Sequence, residues 1–318
     1  MARASFIAGD WGTSHLRISL CDAAGAVLDG STGPGAADSN GRFAELFDSL
    51  TARWQSPDAA APLPAVLCGM VGSTIGWTEA PYVACPAMPA QIAAACIALR
   101  GGRIHIVPGL SCRNRYGAPD FMRGEETQIL GALQLSESLR KGRCLLCLPG
   151  THTKWVVLQD GSVREFFTAP TGELFALLRE HSVLLRATSR DAAAVDSDAF
   201  SQALVRFNEF PQAQLLHRLF ECRSRQLSGE FGAQEASAYL SGLLLASDVH
   251  GALAALADVG ATRTVTLIGA AELTSRYTAA LACHGYDARC IDGAAASVAG
   301  LVQVHRHLAH TVDAYAAR

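Results

Sequence analysis

An apolar run that stops at a carboxylate, Phe6-Ile7-Ala8-Gly9-Asp10, leads at once into a Gly12-Thr13-Ser14 turn and a second alternating run, Arg17-Ile18-Ser19-Leu20-Cys21. Apolar residues flanking so short a turn pair back on one another, so the segment predicts a β-hairpin. The same plan returns at Cys144-Leu145-Leu146-Cys147-Leu148, followed by Pro149-Gly150-Thr151-His152-Thr153-Lys154 and the apolar Trp155-Val156-Val157-Leu158. In each copy a further turn precedes a third strand, Asp22-Ala23-Ala24-Gly25 in the first and Gln159-Asp160-Gly161 in the second. Asp-Gly between apolar runs is a strong hairpin signal. Two such units, one opening each half, predict an internally duplicated chain.

A Gly/Thr/Ser turn presents backbone N–H groups and hydroxyls to a phosphate. A carboxylate at its entrance, Asp10, is suited to holding a hydrated Mg²⁺. Taken singly, either turn reads equally well as a surface β-turn; the repetition favours the phosphate reading. A third stretch, Thr264-Val265-Thr266-Leu267-Ile268, ends in Gly269-Ala270-Ala271 and runs on to Tyr277 as a helix. This ordered set resembles the actin, sugar kinase and Hsp70-type ATPase superfamily, with its two phosphate motifs followed by an adenosine motif. The resemblance implies an α/β, two-domain actin-like ATPase (ribonuclease H-like) fold with a duplicated β-hairpin/α core and an interdomain cleft, and ATP with Mg²⁺ as cofactors. The domains expected are residues 1–118, with the first phosphate motif and the substrate site, and residues 119–318, with a connecting helix, the second phosphate motif and the adenosine motif.

Composition narrows the partners. Half of the 318 residues are hydrophobic and 17% are charged, which argues against disorder. A formal charge of −3 gives no basic surface for nucleic acid, and there is no Lys/Arg run for anionic membranes. No uninterrupted apolar run reaches a membrane span, since the richest helix, Leu240 to Val259, contains Asp248 and His250. The first strand begins by Phe6, which leaves no room for a signal peptide and predicts a cytoplasmic protein. Cys144 and Cys147 match a CxxC spacing, but in a strand residues three apart face opposite sides, so buried thiols fit better than a metal site. His305, His307 and His310 do not share one helix face and read as surface histidines.

Periodicity predicts helices over Gly41–Trp54, Pro89–Leu99, Met122–Leu139, Gly172–Leu185 and Ala233–Val259, with strands at Ala65–Cys68 and Ile104–Val107. Between and after the hairpins lie Gly69-Met70-Val71-Gly72-Ser73 with Gly76-Trp77 and Ala80-Pro81-Tyr82, then Met122-Arg123-Gly124-Glu125-Glu126-Thr127-Gln128, then Thr171-Gly172-Glu173-Leu174. Together with the two turns these stretches resemble the 2-dehydro-3-deoxygalactonokinase family of bacterial sugar-acid kinases, from about Phe6 to about Tyr277. The resemblance implies ATP-dependent phosphorylation of 2-dehydro-3-deoxy-D-galactonate at its C6 hydroxyl, in galactonate catabolism.

Phosphoryl transfer requires the triphosphate charge to be neutralised, the hydroxyl held in line, and a base to take its proton. Asp10 is the candidate for orienting Mg²⁺. Gly12, Thr13 and Ser14 would take one end of the triphosphate, and Gly150, Thr151, His152 and Thr153 the other. Lys154 adds a charge or is a solvated edge lysine. Gly269 and Ala270 suit close approach to adenosine. Superfamily sugar kinases use an Asp near the segment linking the halves, where this chain carries Asp120, Glu125 and Glu126; adjacent residues at a helix start point about 100° apart, so one of the two glutamates is expected to face the substrate. An anionic substrate needs cationic or N–H partners, for which Arg123, Arg17 and the Gly72-Ser73 loop are candidates. Trp77 and Tyr82 either wall the sugar site or belong to the core, and Gly124, Thr171 and Glu173 join the substrate set through the motifs they occupy.

Two other functions are consistent with this fold: a phosphatase of polyphosphate or nucleotides, and a kinase for a different sugar acid. A sugar-responsive repressor would need an N-terminal helix-turn-helix, for which Phe6 leaves no space. The sequence leaves oligomeric state open, a homo-oligomer included.

Overall fold

The computed structural model of the chain describes residues 3–55, 62–185, 198–210, 213–259 and 263–316. The first hairpin is as expected: β1 (Ala4–Trp11) pairs antiparallel with β2 (His15–Asp22), which pairs antiparallel with β3 (Val27–Pro34). After α1 (Phe43–Thr51), β4 (Ala65–Gly69) returns beside β1 in parallel register. With a strand on each side, β1 is buried from Phe6 to Gly9, whereas β3, at the sheet edge, is mostly exposed.

Next come β5 (Tyr82–Ala84), α2 (Pro89–Ala94), β6 (Ile97–Leu99), β7 (Ile104–Ile106), β8 (Gly109–Arg113), β9 (Pro119–Met122) and α3 (Glu125–Leu135). The six-stranded sheet runs β3-β2-β1-β4-β7-β6, and β5, β8 and β9 form a small separate sheet. All five predicted helices are shorter than their apolar periodicity suggests, two of them for a visible reason. The 89–99 helix stops at Ala94, because Ile97–Leu99 pairs antiparallel with β7. The 122–139 helix begins only at Glu125: Met122 closes β9, and Gly124 takes φ +106°, a conformation that interrupts a helix.

The second half repeats the plan with β10 (Arg143–Leu148), β11 (Thr153–Gln159) and β12 (Ser162–Ala169). An α-rich stretch follows, α4 (Thr171–His181), α5 (Asp198–Glu209), α6 (Leu215–Leu219), α7 (Glu221–Leu227) and α8 (Ala233–Ala255). The chain closes with β13 (Thr264–Gly269), α9 (Ala271–Ala282), β14 (Asp287–Asp292) and α10 (Gly293–Ala316). The five-stranded sheet runs β12-β11-β10-β13-β14, with β13 parallel to β10 as β4 is to β1. This duplicated, mixed-sheet order is that of the actin-like ATPases.

The chain divides into two compact units, neither ending at residue 118. The first takes residues 1–143, 158–166 and 292–318; the second takes 144–157 and 167–291. α3 and α10 join the first because they pack without side chains between them: a Cβ on Gly131 would stand 1.8 Å from the Ala296 carbonyl oxygen, and one on Gly300 2.0 Å from that of Thr127. His305, expected at the surface, stacks on the fully buried Phe6 ring at 4.1 Å, and burial pulls its imidazole below its ordinary pKa.

In the second unit, α8 is long and apolar enough to cross a membrane by length and composition, although Asp248 and His250 interrupt its apolar run. Its side chains from Ala236 to Ala246 are instead buried in the core of the unit, among Trp155, Leu204, Leu267 and Tyr277. Cys144 and Cys147 both lie in β10.

Candidate active site

The first unit gathers one set of the predicted residues around the end of β1. Asp10 is the next-to-last residue of the strand, directly opposite Arg17 on β2 and Cys68 on β4. Its Oδ2 accepts a hydrogen bond from the Ser297 hydroxyl at 3.1 Å. Burial raises the Asp10 carboxyl above its ordinary value, opposed by Ser297, Arg17 and the Cys68 thiol. Gly69, at φ +86°, is squeezed beside it: a Cβ there would meet the Trp11 carbonyl oxygen at 2.7 Å and Asp10 Oδ1 at 3.5 Å. A Cβ on Gly124 would in turn lie 3.5 Å from the Gly69 Cα. The carboxylate, the Gly69 turn and the start of α3 are therefore stacked without intervening side chains.

The adjoining hairpin turn is firmly built. The Gly12 N–H donates to the His15 carbonyl at 2.9 Å, and the carbonyls of Gly12, Thr13 and Ser14 accept from Ala36, Ala37 and Gly35. Gly35 permits this, since a Cβ on it would sit 2.2 Å from the Thr13 oxygen. With the turn's carbonyls engaged from behind, Thr13 and Ser14 are exposed at the tip.

The three carboxylate candidates for the base separate clearly. Glu126 is fully buried; its Oε2 accepts the Gly124 N–H at 2.7 Å and its Oε1 the Thr127 hydroxyl at 3.0 Å. Burial, with the Glu125 charge adding to it, pushes its carboxyl up to about 8. Glu125, half-buried in the first turn of α3, accepts the Arg123 N–H at 3.0 Å. Asp120 lies in β9, capping the Phe121 N–H at 2.9 Å and accepting from the Asn114 amide at 3.1 Å. Cys68 lies buried among the set, opposite Asp10 in the sheet, and burial pushes its thiol well above its ordinary pKa.

Arg123 lies beneath the Gly72 turn. Its Nη2 donates to the Ala80 carbonyl at 2.7 Å and its guanidinium lies 4.3 Å from the Tyr82 ring centroid, while Nε and Nη1 are buried with no hydrogen-bond partner. A Cβ on Gly72 would reach Nη1 at 2.9 Å. The Ser73 hydroxyl is tied to the Met70 carbonyl at 2.7 Å. Tyr82 is 41% exposed, edge-on to Phe121. Trp77 packs on Phe47 at the margin of the sheet core, with the Arg100 guanidinium over it.

In the second unit, Gly150, Thr151 and His152 form the turn between β10 and β11. α4 starts against it: the Glu173 N–H donates to the Thr151 carbonyl at 2.9 Å, and a Cβ on Gly172 would lie 2.4 Å from the Gly150 oxygen. His152 Nε2 and Glu173 Oε2 are 2.8 Å apart, both exposed. Lys154 is no edge lysine; it is buried, its ammonium donating to the Thr168 hydroxyl at 2.9 Å. Thr171 is buried too and donates to Asp248. Gly269 ends β13 and Ala270 caps α9, with a Cβ on Gly269 falling 3.6 Å from the Pro149 carbonyl.

Sequence reasoning missed Ser297, Cys68, Thr127 and Asp248. Of these, Thr127 stood inside the Met122–Gln128 motif and Asp248 carried a signal as an acid inside a long apolar helix.

A family model described as 2-keto-3-deoxy-galactonokinase matches residues 10–304. A protein of Rhizobium meliloti (strain 1021), named a probable 2-dehydro-3-deoxygalactonokinase, is 40% identical over 302 residues, covering 93% of this chain and 95% of that protein. The 2-dehydro-3-deoxygalactonokinase of Escherichia coli (strain K12) is 34% identical over 311 residues, covering 97% and 99%. A crystal structure from Sinorhizobium meliloti, provisionally assigned as a 2-dehydro-3-deoxygalactonokinase, superposes with a TM-score of 0.85 at 38% identity, covering 95% of this chain and 98% of that one. Matched over nearly its whole length, with Asp10, the second hairpin, the glycine stack and the α3 start inside the matched region, the chain belongs to the 2-keto-3-deoxy-galactonokinase family.

Proposed function

We propose that this protein transfers the γ-phosphoryl group of ATP to the C6 hydroxyl of 2-dehydro-3-deoxy-D-galactonate, giving 2-dehydro-3-deoxy-6-phospho-D-galactonate and ADP, as a cytoplasmic step of galactonate catabolism. The observation that carries this reading is the stack of Asp10, Gly69 and Gly124, which joins a phosphate-type turn to the segment bearing Arg123 and Glu125. In the first unit, Gly12, Thr13 and Ser14 are the proposed phosphate-binding residues; in the second, Gly150 and Thr151 are, with Thr153 buried behind them, and Gly269 with Ala270 meets the adenosine.

The donor set fits Mg²⁺. Among the described residues no three His, Cys, Asp or Glu side chains come together as a cage, and a single carboxylate completed by water and phosphate oxygens is the coordination Mg²⁺ commonly takes. Asp10 would hold it, and the ion would neutralise charge on the transferring phosphoryl group.

Glu125 is the proposed base. Glu126 has no exposed surface, spends both oxygens inside the protein, and is held largely protonated at neutral pH, so it cannot accept a substrate proton. Arg123 is the proposed partner of the substrate carboxylate, its guanidinium beside Gly72 and Tyr82. An arginine whose planar fork is only partly engaged is suited to a carboxylate.

The test is a coupled ADP-release assay over a panel of sugar acids and neutral hexoses. The reading expects the highest kcat/KM on 2-dehydro-3-deoxy-D-galactonate. An equal or higher value on glucose or galactose overturns the sugar-acid assignment, and phosphate release without transfer replaces the kinase by a phosphatase.

A further inference from the structure

Asp248 is an acid within α8, where it follows the buried run Leu243–Ala246. Its carboxylate accepts three hydrogen bonds from neutral donors: the Trp155 indole N–H to Oδ1 at 2.8 Å, and the Thr171 and Tyr277 hydroxyls to Oδ2 at 2.7 and 2.6 Å. The Tyr277 oxygen also lies 2.8 Å from the Thr153 hydroxyl. Tyr277 has one proton, and it is directed to Asp248, so Thr153 donates to Tyr277. Burial first, and then the nearby Asp248 charge, hold the Tyr277 hydroxyl well above its ordinary pKa, which keeps that proton in place.

These donors come from three separate elements around one turn. Thr153 and Trp155 open β11 directly after Gly150-Thr151-His152. Thr171 is the first residue of α4, the helix whose Glu173 N–H is bonded to the Thr151 carbonyl. Tyr277 belongs to α9, which starts just past Gly269, the residue packed towards Pro149. A core needs no carboxylate for packing, and a buried one with polar partners is retained where it fixes geometry.

We infer that Asp248 is the positioning residue of the nucleotide site: one buried carboxylate that holds the Gly150–Thr153 turn, the start of α4 and the strand end at Gly269 in the register needed to receive ADP or ATP. It touches no substrate and acts through Thr153, Thr171 and Tyr277. The inference rests on the proposed phosphate role of that turn.

The experiment compares Asp248→Ala, Asp248→Asn, Thr171→Val and Tyr277→Phe with wild type, measuring ADP affinity by calorimetry and KM for ATP and for the sugar acid separately. Losing one hydroxyl from such a network should weaken ADP binding about 5- to 10-fold, and Asp248→Ala about 30-fold or more. Asp248→Asn, which keeps an acceptor for the indole, should fall between. The KM for the sugar acid should stay within about twofold in the Asp248 and Tyr277 variants, a split that general loosening of the fold does not produce. If Asp248→Ala does not fold, the near-isosteric Thr171→Val and Tyr277→Phe carry the test. Wild type that binds no ADP overturns the nucleotide reading itself. Wild type that binds ADP while the folded variants match it, or lose both ligands equally, overturns the role of Asp248 alone.

Discussion

Glu126 and Gly124 share a hydrogen bond of 2.7 Å in which the side chain of the second residue of α3 closes back on the glycine that starts it. Because burial lifts that carboxyl from 4.5 to about 8, the folded protein holds a proton there that the unfolded chain releases. The stabilisation is fully present below about 4.5, is lost as pH rises through the interval, and is gone above about 8. Glu126→Gln imitates the protonated form and removes the dependence. Between pH 5 and 8.5 the wild-type Tm should therefore fall relative to that of Glu126→Gln by about 3 °C or more. Parallel Tm profiles would mean that Glu126 is ionised in the fold.

Asp10→Asn should abolish turnover while the protein stays folded. The amide can still accept from Ser297, but the charge opposite Arg17 is lost. Electrostatic contributions of this kind are worth on the order of 100-fold or more in rate. Activity within about threefold of wild type, with an unchanged Tm, would remove Asp10 from the reaction.

For the base, Glu125→Gln should lower kcat by roughly 100-fold or more with little change in the KM for ATP. Asp120→Asn should retain activity, because both Asp120 oxygens serve β9 and its turn. The reverse pattern in the two variants assigns the proton to Asp120.

Arg123→Ala should cost about 10- to 150-fold in kcat/KM on the sugar acid, the loss of a charge-assisted carboxylate contact, and much less on any neutral hexose that reacts. An equal loss on both substrates would confine Arg123 to its packing against Ala80 and Tyr82.

Gly131→Ala should destabilise the first unit. The new methyl would collide with the Ala296 backbone, and overpacking of this kind costs about 1–3 kcal/mol. Thermal denaturation should show a Tm lower by several degrees, and an unchanged value would mean that α3 and α10 can separate freely.

What was legible in the sequence was local. Both hairpins and the β13–α9 turn are written in contiguous residues, so the Asp10 turn, the Gly150 turn and Gly269 could be read directly. The small sheet could not: β5 has three residues, and its partner β8 begins 27 positions later by number, at Gly109 after Tyr82. Periodicity also overran the Gly124 break, because positive φ at one glycine leaves no trace in the apolar pattern. Asp248 was visible as an anomaly, yet its partners Trp155, Thr171 and Tyr277 lie 93, 77 and 29 residues away, and only the fold joins them.

The first unit is interrupted by the second, and that order has a consequence for biosynthesis. A ribosome delivers every residue of the second unit, through Ile291, before it delivers α10. Until then Phe6 has no His305 stacked on it, Asp10 has no Ser297, and the glycine groove of α3 is empty. The first unit therefore cannot be completed before the second has been synthesised. The half that carries Asp10 is completed only when the segment following the insertion emerges and docks.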